Sequence, residues 1–197
     1  MIISTGMADA EDIQEAIDAA RSCGCKELAI LHCVSDYPAT SEDYNLRTIP
    51  NMMERFGLVT GLSDHTLDNT TAIASVVLGA SIIEKHFTLD RNAGRPDDSF
   101  SLEPADLTAL CRDSKTAWAA LGPVDYGRKA SEQGNAQFRR SLYFVKDMKA
   151  GDIITEDAVR SVRPGFGLAP KFLDEVVGKI AKSDIKENTA TSRDLFL

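Results

Sequence analysis

Strand-like and helix-like segments alternate along the first two-thirds of the sequence, and this alternation limits the fold more than any other feature. Short apolar runs, typical of strands buried on both faces, are followed by longer stretches with apolar residues at helical spacing. Four such strand–helix units come before Gly122. Repeated units of this kind predict a parallel β-sheet with right-handed crossover helices. We therefore expect an α/β domain over residues 1–122.

The apolar pattern assigns the strands and helices of this domain. In the first helix, apolar residues from Ile13 to Ala20 form one stripe, and Gly24 follows as a stop signal. We expect Pro50 to break or restart the second helix and Pro104 to lie in the first turn of the last helix. The predicted strands are 1–6, 27–33, 58–64 and 81–87, and the predicted helices are 9–24, 41–57, 69–80 and 103–122.

The pattern changes after Gly122. Residues 123–138 are polar and rich in turn-forming residues, so we interpret them as a linker. Residues 139–197 have short strand-like runs, with turns at Gly151 and around Gly165, which predicts a small β-rich domain. A domain of this size buries little apolar surface, so we expect it to dock against another surface.

Charge and composition exclude several classes of function. The net charge of −8 argues against a broad phosphate-binding surface for nucleic acid. No apolar run approaches the roughly 20 residues of a membrane span, and acidic residues near the N-terminus do not fit a signal peptide. The four cysteines form no paired CxxC motif, which indicates reduced thiols. We expect a cytoplasmic protein that binds neither nucleic acid nor membrane.

Two of the chain's three histidines, His65 and His86, lie at the ends of neighbouring predicted strands, where parallel sheets carry their sites. Side chains alternate along a strand, so His65 shares a face with Ser63, and His86 shares one with Glu84. Two imidazoles completed by water or substrate oxygens would form an open metal site that polarises a carbonyl. From spacing alone, a histidine that hydrogen-bonds at a strand end is the commoner case, and His32 fits it best.

Other polar residues in these positions would suit anionic or sugar ligands. The hydroxyl groups of Ser4, Ser35 and Ser63, with backbone amides and helix N-termini, would bind a phosphate or carboxylate, although each serine is as readily a helix N-cap. Asp97 lies in a polar loop and would suit sugar hydroxyls, with a surface turn as the alternative. Arg163 precedes Pro-Gly in a turn; its guanidinium would suit a carboxylate, and a surface arginine is the default interpretation.

Several motifs resemble those of the sialic acid synthases, enzymes that condense phosphoenolpyruvate with an N-acetylated amino sugar to give a nine-carbon sugar acid and phosphate. The RRSLYFVKDMKAGD stretch and the RPGFG turn are most similar to pseudaminic acid synthases, since N-acetylneuraminate synthases more often carry an RPGNG-type turn. The matching stretches occur in family order along essentially the whole chain: ISTGMA, LHCVSDYP, NLRTIP, GLSDHTL, LGASIIEKHFTLD, RPDDSFSLEP and VRPGFGLAPKFLDEVVGK.

The resemblance implies a fold and an assembly. Residues 1–122 would be the C-terminal half of a (β/α)8 TIM barrel, strands five to eight of the family, and residues 139–197 a SAF (antifreeze-like) domain. The small domain of one chain would cover the site of the other in a swapped homodimer. The family's first four strands, with a lysine that holds the phosphate, have no counterpart in the sequence. We interpret the chain as a fragment or truncated product; a split enzyme or a barrel completed by two copies are the alternatives.

The resemblance also implies residue roles. His65 and His86 would hold a Mn²⁺ or Mg²⁺ ion and would be catalytic together with Glu84. Ser35 departs from the neuraminate enzymes, which usually have Asn there. The residues expected to bind phosphoenolpyruvate or the amino sugar (a pseudaminic acid precursor or N-acetylmannosamine) are Ser4, Ser35, Tyr37, Ser63, Asp97 and, across the dimer to the sugar's acyl group, Arg163.

Two other functions stay open at this stage. The chain would alternatively be a non-catalytic sugar-binding or assembly module that keeps the metal pair. Another phosphoenolpyruvate-condensing aldolase on the same barrel is a weaker option, because the small domain argues against it.

Overall fold

Four parallel strands form the sheet of the first unit, residues 1–124, in the computed structural model, which describes all of residues 1–197. Their order in the sheet follows their order in the chain. Because all four point the same way, their carboxyl ends meet at one edge, as predicted from the alternating pattern. The strands are β1 (Ile2–Ser4), β2 (Ala29–Cys33), β3 (Val59–Asp64) and β4 (Ile83–Lys85).

Four helices connect and follow these strands: α1 (Ala10–Ser22), α2 (Thr48–Phe56), α3 (Thr70–Val77) and α4 (Pro104–Leu121). The start of α1 is fixed by Asp9, whose carboxylate accepts the N–H groups of Glu11 and Asp12 in a capping box. Pro104 occupies the first turn of α4 as expected, since no helical N–H is needed there.

The interruption predicted at Pro50 lies instead at Asn45. A short 3₁₀ helix, Ser41–Tyr44, ends at Asn45, which has a left-handed backbone with φ of 44°. The regular helix α2 then begins at Thr48. Pro50 falls in the first turn of α2, where a backbone N–H has no intrahelical partner, so the proline costs the helix no hydrogen bond.

The helices pack on one face of the sheet. Ile30 of β2 is fully buried in a cluster with Ile17 of α1 and Met52 of α2. Leu62 of β3 is fully buried in a second cluster with Ala72 of α3 and other side chains. Because side chains alternate along a strand, burying these residues against the helices turns their neighbours, including Ser63, to the opposite face.

The second unit, residues 125–197, has its own apolar core. Its antiparallel strands are β5 (Ser141–Phe144) and β6 (Val159–Val162), and a short helix, α5, spans Leu173–Val176. The segment predicted to be a linker contains 3₁₀ turns over Ala130–Phe138. Neither unit has a helix with the length and apolar character needed to span a bilayer.

Replacing Gly61 with alanine should destabilise the first unit. A Cβ at this position in β3 would lie 2.4 Å from the backbone oxygen of Ile82 and 2.6 Å from Leu31 Cδ2. Neither atom can move away freely, so we expect the free energy of unfolding to fall by about 1–3 kcal/mol in urea denaturation. The exposed Gly134, which has open space around it, provides the control: Gly134→Ala should change stability little. Equal stabilities of the two variants would contradict the packing described for Gly61.

Candidate functional site

The carboxyl edge of the sheet brings the two histidines together. His65 directly follows β3 and His86 directly follows β4, and their ring centroids are 5.3 Å apart. Beside them, the Ser63 hydroxyl donates to Glu84 Oε1 at 2.9 Å, because these two residues are paired in the register of β3 and β4. Together with Lys85, these four residues line a cavity of about 240 Å³.

The orientation of the His65 ring is fixed by a backbone carbonyl. His65 is 6% exposed, and its Nδ1 lies 2.8 Å from the oxygen of Val34. A carbonyl oxygen only accepts hydrogen bonds, so Nδ1 must carry the hydrogen, which leaves the lone pair of Nε2 available. The structural role and the ligand role considered from the sequence are therefore compatible: one nitrogen anchors the ring and the other is free to bind a ligand.

Tyr44 supports the backbone of the site, a role that the sequence did not indicate. Its side chain is fully buried, and its hydroxyl accepts the His65 N–H at 2.7 Å and donates to the Ser63 carbonyl at 3.3 Å. Burial raises the pKa of Tyr44 above its ordinary value, so the hydroxyl keeps its proton and can act as a donor. His32 bonds the backbone oxygen of Tyr44, which is the structural role expected for this histidine.

Aromatic rings surround the histidine pair. The Tyr37 ring lies 4.2 Å from that of His65 and 5.9 Å, edge to face, from that of His86. The Phe100 ring lies 5.0 Å from that of His86 and 5.7 Å from that of Tyr37. Tyr37 was among the residues implied by resemblance, whereas Phe100 was missed, because nothing distinguishes its sequence environment from that of an ordinary core residue.

Asp97 lies beside His86 in the loop that follows β4. Its Oδ2 is 3.5 Å from His86 Nδ1, and its side chain is 59% exposed. The neighbouring Asp98 is buried and holds this loop, since it accepts hydrogen bonds from the Thr88 hydroxyl at 2.6 Å and the Arg95 N–H at 2.8 Å. These bonds, that of Thr88 above all, lower the pKa of Asp98. Asp98 was also missed from the sequence.

The three serines lie along the same edge of the sheet. Ser4 ends β1, Ser35 follows β2 by two residues, and Ser63 belongs to β3. Gly6 permits the position of Ser35, because a Cβ on Gly6 would lie only 2.1 Å from the Ser35 hydroxyl oxygen. None of the three serines is a helix N-cap, the alternative considered from the sequence: the N-caps of α1 to α4 are Asp9, Arg47, Asn69 and Glu103.

The distance between the two imidazole rings is compatible with a shared divalent metal ion. An ion about 2.1 Å from one nitrogen of each ring would separate the ring centroids by about 4.5–6.4 Å, depending on the angle between the ligands. The chain has no group of three or more His, Cys, Asp or Glu side chains arranged to hold a metal ion. Water or substrate oxygens would complete the coordination, as in open catalytic sites.

Arg163 belongs to the second unit, and a buried serine holds the turn that it begins. The Ser141 hydroxyl donates to the Pro164 carbonyl at 2.7 Å and accepts the Gly167 N–H at 2.9 Å. The Gly165 N–H donates to the Gln137 carbonyl at 2.8 Å. The Arg163 side chain is exposed and makes no hydrogen bond within its own unit, so its guanidinium is available to a ligand.

The sheet, its polar edge and the second unit define a protein built from half of an α/β barrel followed by a small β-containing domain. Residues 1–126 match the NeuB family, and residues 139–190 match the SAF domain. The chain therefore belongs to the NeuB family. The predicted resemblance and the predicted fold class, the C-terminal half of a TIM barrel followed by a SAF domain, are confirmed.

Several relatives are synthases of sugar acids. The chain is 38% identical over 195 residues to the pseudaminic acid synthase of Campylobacter jejuni, which covers 99% of this chain and 57% of that protein. It is 37% identical to the pseudaminic acid synthase of Helicobacter pylori, with 98% and 57% covered. The chain thus spans little more than half the length of these relatives.

Solved structures show the same similarity. The spore coat polysaccharide biosynthesis protein SpsE of Bacillus subtilis superposes with a TM-score of 0.59 at 34% identity, covering 100% of this chain and 61% of that one. The N-acetylneuraminic acid synthetase of Leptospira borgpetersenii, solved in complex with citrate, superposes with a TM-score of 0.61 at 33% identity, covering 70% and 48%.

Replacing Tyr44 with phenylalanine should remove two hydrogen bonds from the backbone of the site without leaving a cavity in the core. The ring is retained, but the buried N–H of His65 and the carbonyl of Ser63 lose their partner. We expect the free energy of unfolding to fall by about 1–3 kcal/mol in urea denaturation, the cost of unsatisfied buried groups. Tyr126→Phe is the matched control, because Tyr126 is fully exposed and its hydroxyl should contribute nothing. A Tyr44→Phe protein as stable as this control would show that the Tyr44 hydroxyl does not support the backbone of the site.

Proposed function

We propose that this chain supplies the catalytic edge of a nonulosonate synthase. The reaction would join phosphoenolpyruvate to an N-acetylated amino sugar, giving a nine-carbon sugar acid and phosphate. The convergence of His65 and His86, with ring centroids 5.3 Å apart at the carboxyl edge of a parallel sheet, carries this proposal. The names of the relatives favour a pseudaminic acid precursor as the sugar, with N-acetylmannosamine as the alternative.

His65 and His86 would hold the divalent cation, Mn²⁺ or Mg²⁺. When bound, such an ion supplies a Lewis acid that polarises the aldehyde of the open-chain sugar. The His65 ring is fixed by its Nδ1–H bond to the Val34 carbonyl, so Nε2 is the nitrogen that would bind the ion. The Tyr37 ring lies 4.2 Å from that of His65, which is only 6% exposed, so bulk water has little access to this histidine.

The remaining residues would bind and align the two substrates. The hydroxyls of Ser4, Ser35 and Ser63 would donate to the phosphate and carboxylate of phosphoenolpyruvate. Asp97 would accept hydrogen bonds from sugar hydroxyls beside His86. Arg163 of a second copy would reach the acyl group of the sugar in a swapped homodimer. Alignment of two reactants can supply several kcal/mol of a barrier of this kind.

Glu84 would accept and return a proton in this reaction. Its Oε1 accepts the Ser63 hydroxyl, while Oε2 makes no hydrogen bond within the protein. As carbon 3 of phosphoenolpyruvate bonds to the aldehyde carbon, water adds at carbon 2. Glu84 would accept the proton lost by that water and return it to the aldehyde oxygen, which becomes a hydroxyl. Phosphate then leaves by C–O cleavage with the second proton, and carbon 2 becomes a ketone.

An assay of phosphate release tests this function. The protein is incubated with phosphoenolpyruvate, Mn²⁺ and each candidate amino sugar, both alone and mixed with the N-terminal part of a pseudaminic acid synthase. Phosphate and a nine-carbon acid, detected by mass spectrometry, should appear together and only when all components are present. If a well-folded sample gives no product in either arrangement, the synthase assignment is wrong, and a non-catalytic sugar-binding or assembly module is the function to consider.

The metal assignment has its own test, because the chain contains a third histidine. His65→Ala and His86→Ala should each weaken Mn²⁺ binding by at least about 10-fold, since each removes one of two protein ligands. Binding is measured from the signal of free Mn²⁺ in electron paramagnetic resonance. His32→Gln keeps a hydrogen-bond donor towards Tyr44 and should bind Mn²⁺ like the unmodified protein. Unchanged affinity in both alanine variants would exclude these histidines as ligands.

A further inference from the structure

A buried ion pair joins the end of β4 to the end of β3, next to the two histidines in the sequence. The Lys85 ammonium lies 2.8 Å from Asp64 Oδ2, and the two side chains are 3% and 0% exposed. The same ammonium donates to the backbone oxygens of Thr66 and Asp68, each at 2.8 Å. The three N–H donors of a lysine are thereby matched by three acceptors. Buried charges are tolerated under this condition of full pairing.

These contacts hold the chain on both sides of His65. Asp64 and Thr66 are its immediate neighbours, and Asp64 Oδ1 also accepts the Thr66 N–H at 2.9 Å. Lys85 is the residue before His86, and it is paired with Asp64 in the register of β3 and β4. Because side chains alternate, the ion pair lies on the helix side of the sheet and the two imidazoles on the opposite side.

We propose that Lys85 is a positioning residue that sets how the His65 and His86 rings face each other. Its ammonium binds backbone carbonyls next to His65 and so links this segment to β4, which His86 directly follows. The backbone pairing of β3 with β4 ends at Asp64 and Lys85. Beyond that point, the Lys85 side chain connects the segment after β3 to β4. A catalytic benefit from Lys85 rests on the function proposed above, whereas its effect on the orientation of the two rings does not.

A role in stability alone makes a different prediction. A well-packed apolar pair often replaces a buried ion pair without loss of stability. Such a pair would preserve the core here, but it could not donate to the carbonyls of Thr66 and Asp68. The double variant Asp64→Leu with Lys85→Met therefore separates the two roles, because it removes the donor and leaves no buried charge unpaired.

The test uses the whole chain without metal and reads the rings by nuclear magnetic resonance. In the unmodified protein, we expect a nuclear Overhauser effect between the His65 and His86 ring protons, and ¹⁵N shifts that report hydrogen on Nδ1 of His65. In the double variant, with a melting temperature close to that of the unmodified protein, the ring-to-ring effect should fall by at least about half and the single tautomer should be lost. Mn²⁺ affinity should fall by about 10–100-fold, as for other groups that orient metal ligands.

The exposed pair Lys149 and Asp184 provides the matched control. Lys149→Met with Asp184→Asn also removes an ion pair and should leave the histidine signals unchanged. If the double variant does not fold, Asp64→Asn replaces it: this change keeps the shape and one acceptor, and should produce a smaller shift in the same signals. Unchanged ring signals in the variant that folds would overturn the positioning role. If the unmodified protein binds no Mn²⁺, the metal assignment fails, while the ring signals still decide the role of Lys85.

Discussion

The parallel register of β3 and β4 is the constraint on which the site depends. It places Ser63 opposite Glu84 and Asp64 opposite Lys85, so one pair of strands carries a polar contact on each of its faces. On one face the hydroxyl and carboxylate meet at the open edge of the sheet. On the other face the ion pair is buried. A slip of one residue would exchange the two faces and bury the histidines among apolar side chains.

The buried polar groups at the carboxyl ends of β3 and β4 are stable there because each forms hydrogen bonds with other groups of the protein. The His65 ring, its backbone N–H and the Lys85 ammonium are all buried, and each has a protein partner. Only two buried side-chain polar atoms in the chain lack one, Asn69 Oδ1 and Ser114 Oγ, and neither belongs to the site. The His65 ring is consequently held in one orientation by the protein itself, before any ligand binds.

The second unit follows a different plan. Its core contains Leu142, Phe144, Ile154 and Val176, so it does not depend on the barrel residues for its own packing. The turn that carries Arg163 is stabilised by Ser141 and by crowded glycines, since a Cβ on Gly167 would lie 2.2 Å from the Leu142 carbonyl. A stiff turn fixes the backbone of Arg163, so only its exposed side chain would have to be ordered on binding a ligand.

The sequence by itself determined the α/β architecture, the small second domain and the strand ends at which His65, Glu84 and His86 lie, because periodicity and turn residues act over a few neighbouring positions. It also assigned the family, through motifs spread along the chain. Only the tertiary structure decided that Tyr44 holds His65, that Gly6 makes room for Ser35 and that Lys85 gathers the loop around His65. These contacts join residues about 20 to 30 positions apart, and a hydrogen bond between distant polar atoms leaves no periodic trace in either segment. The helix break at Asn45 rather than Pro50 has a similar origin, since a proline is harmless in a first turn and only the folded chain shows where that turn begins.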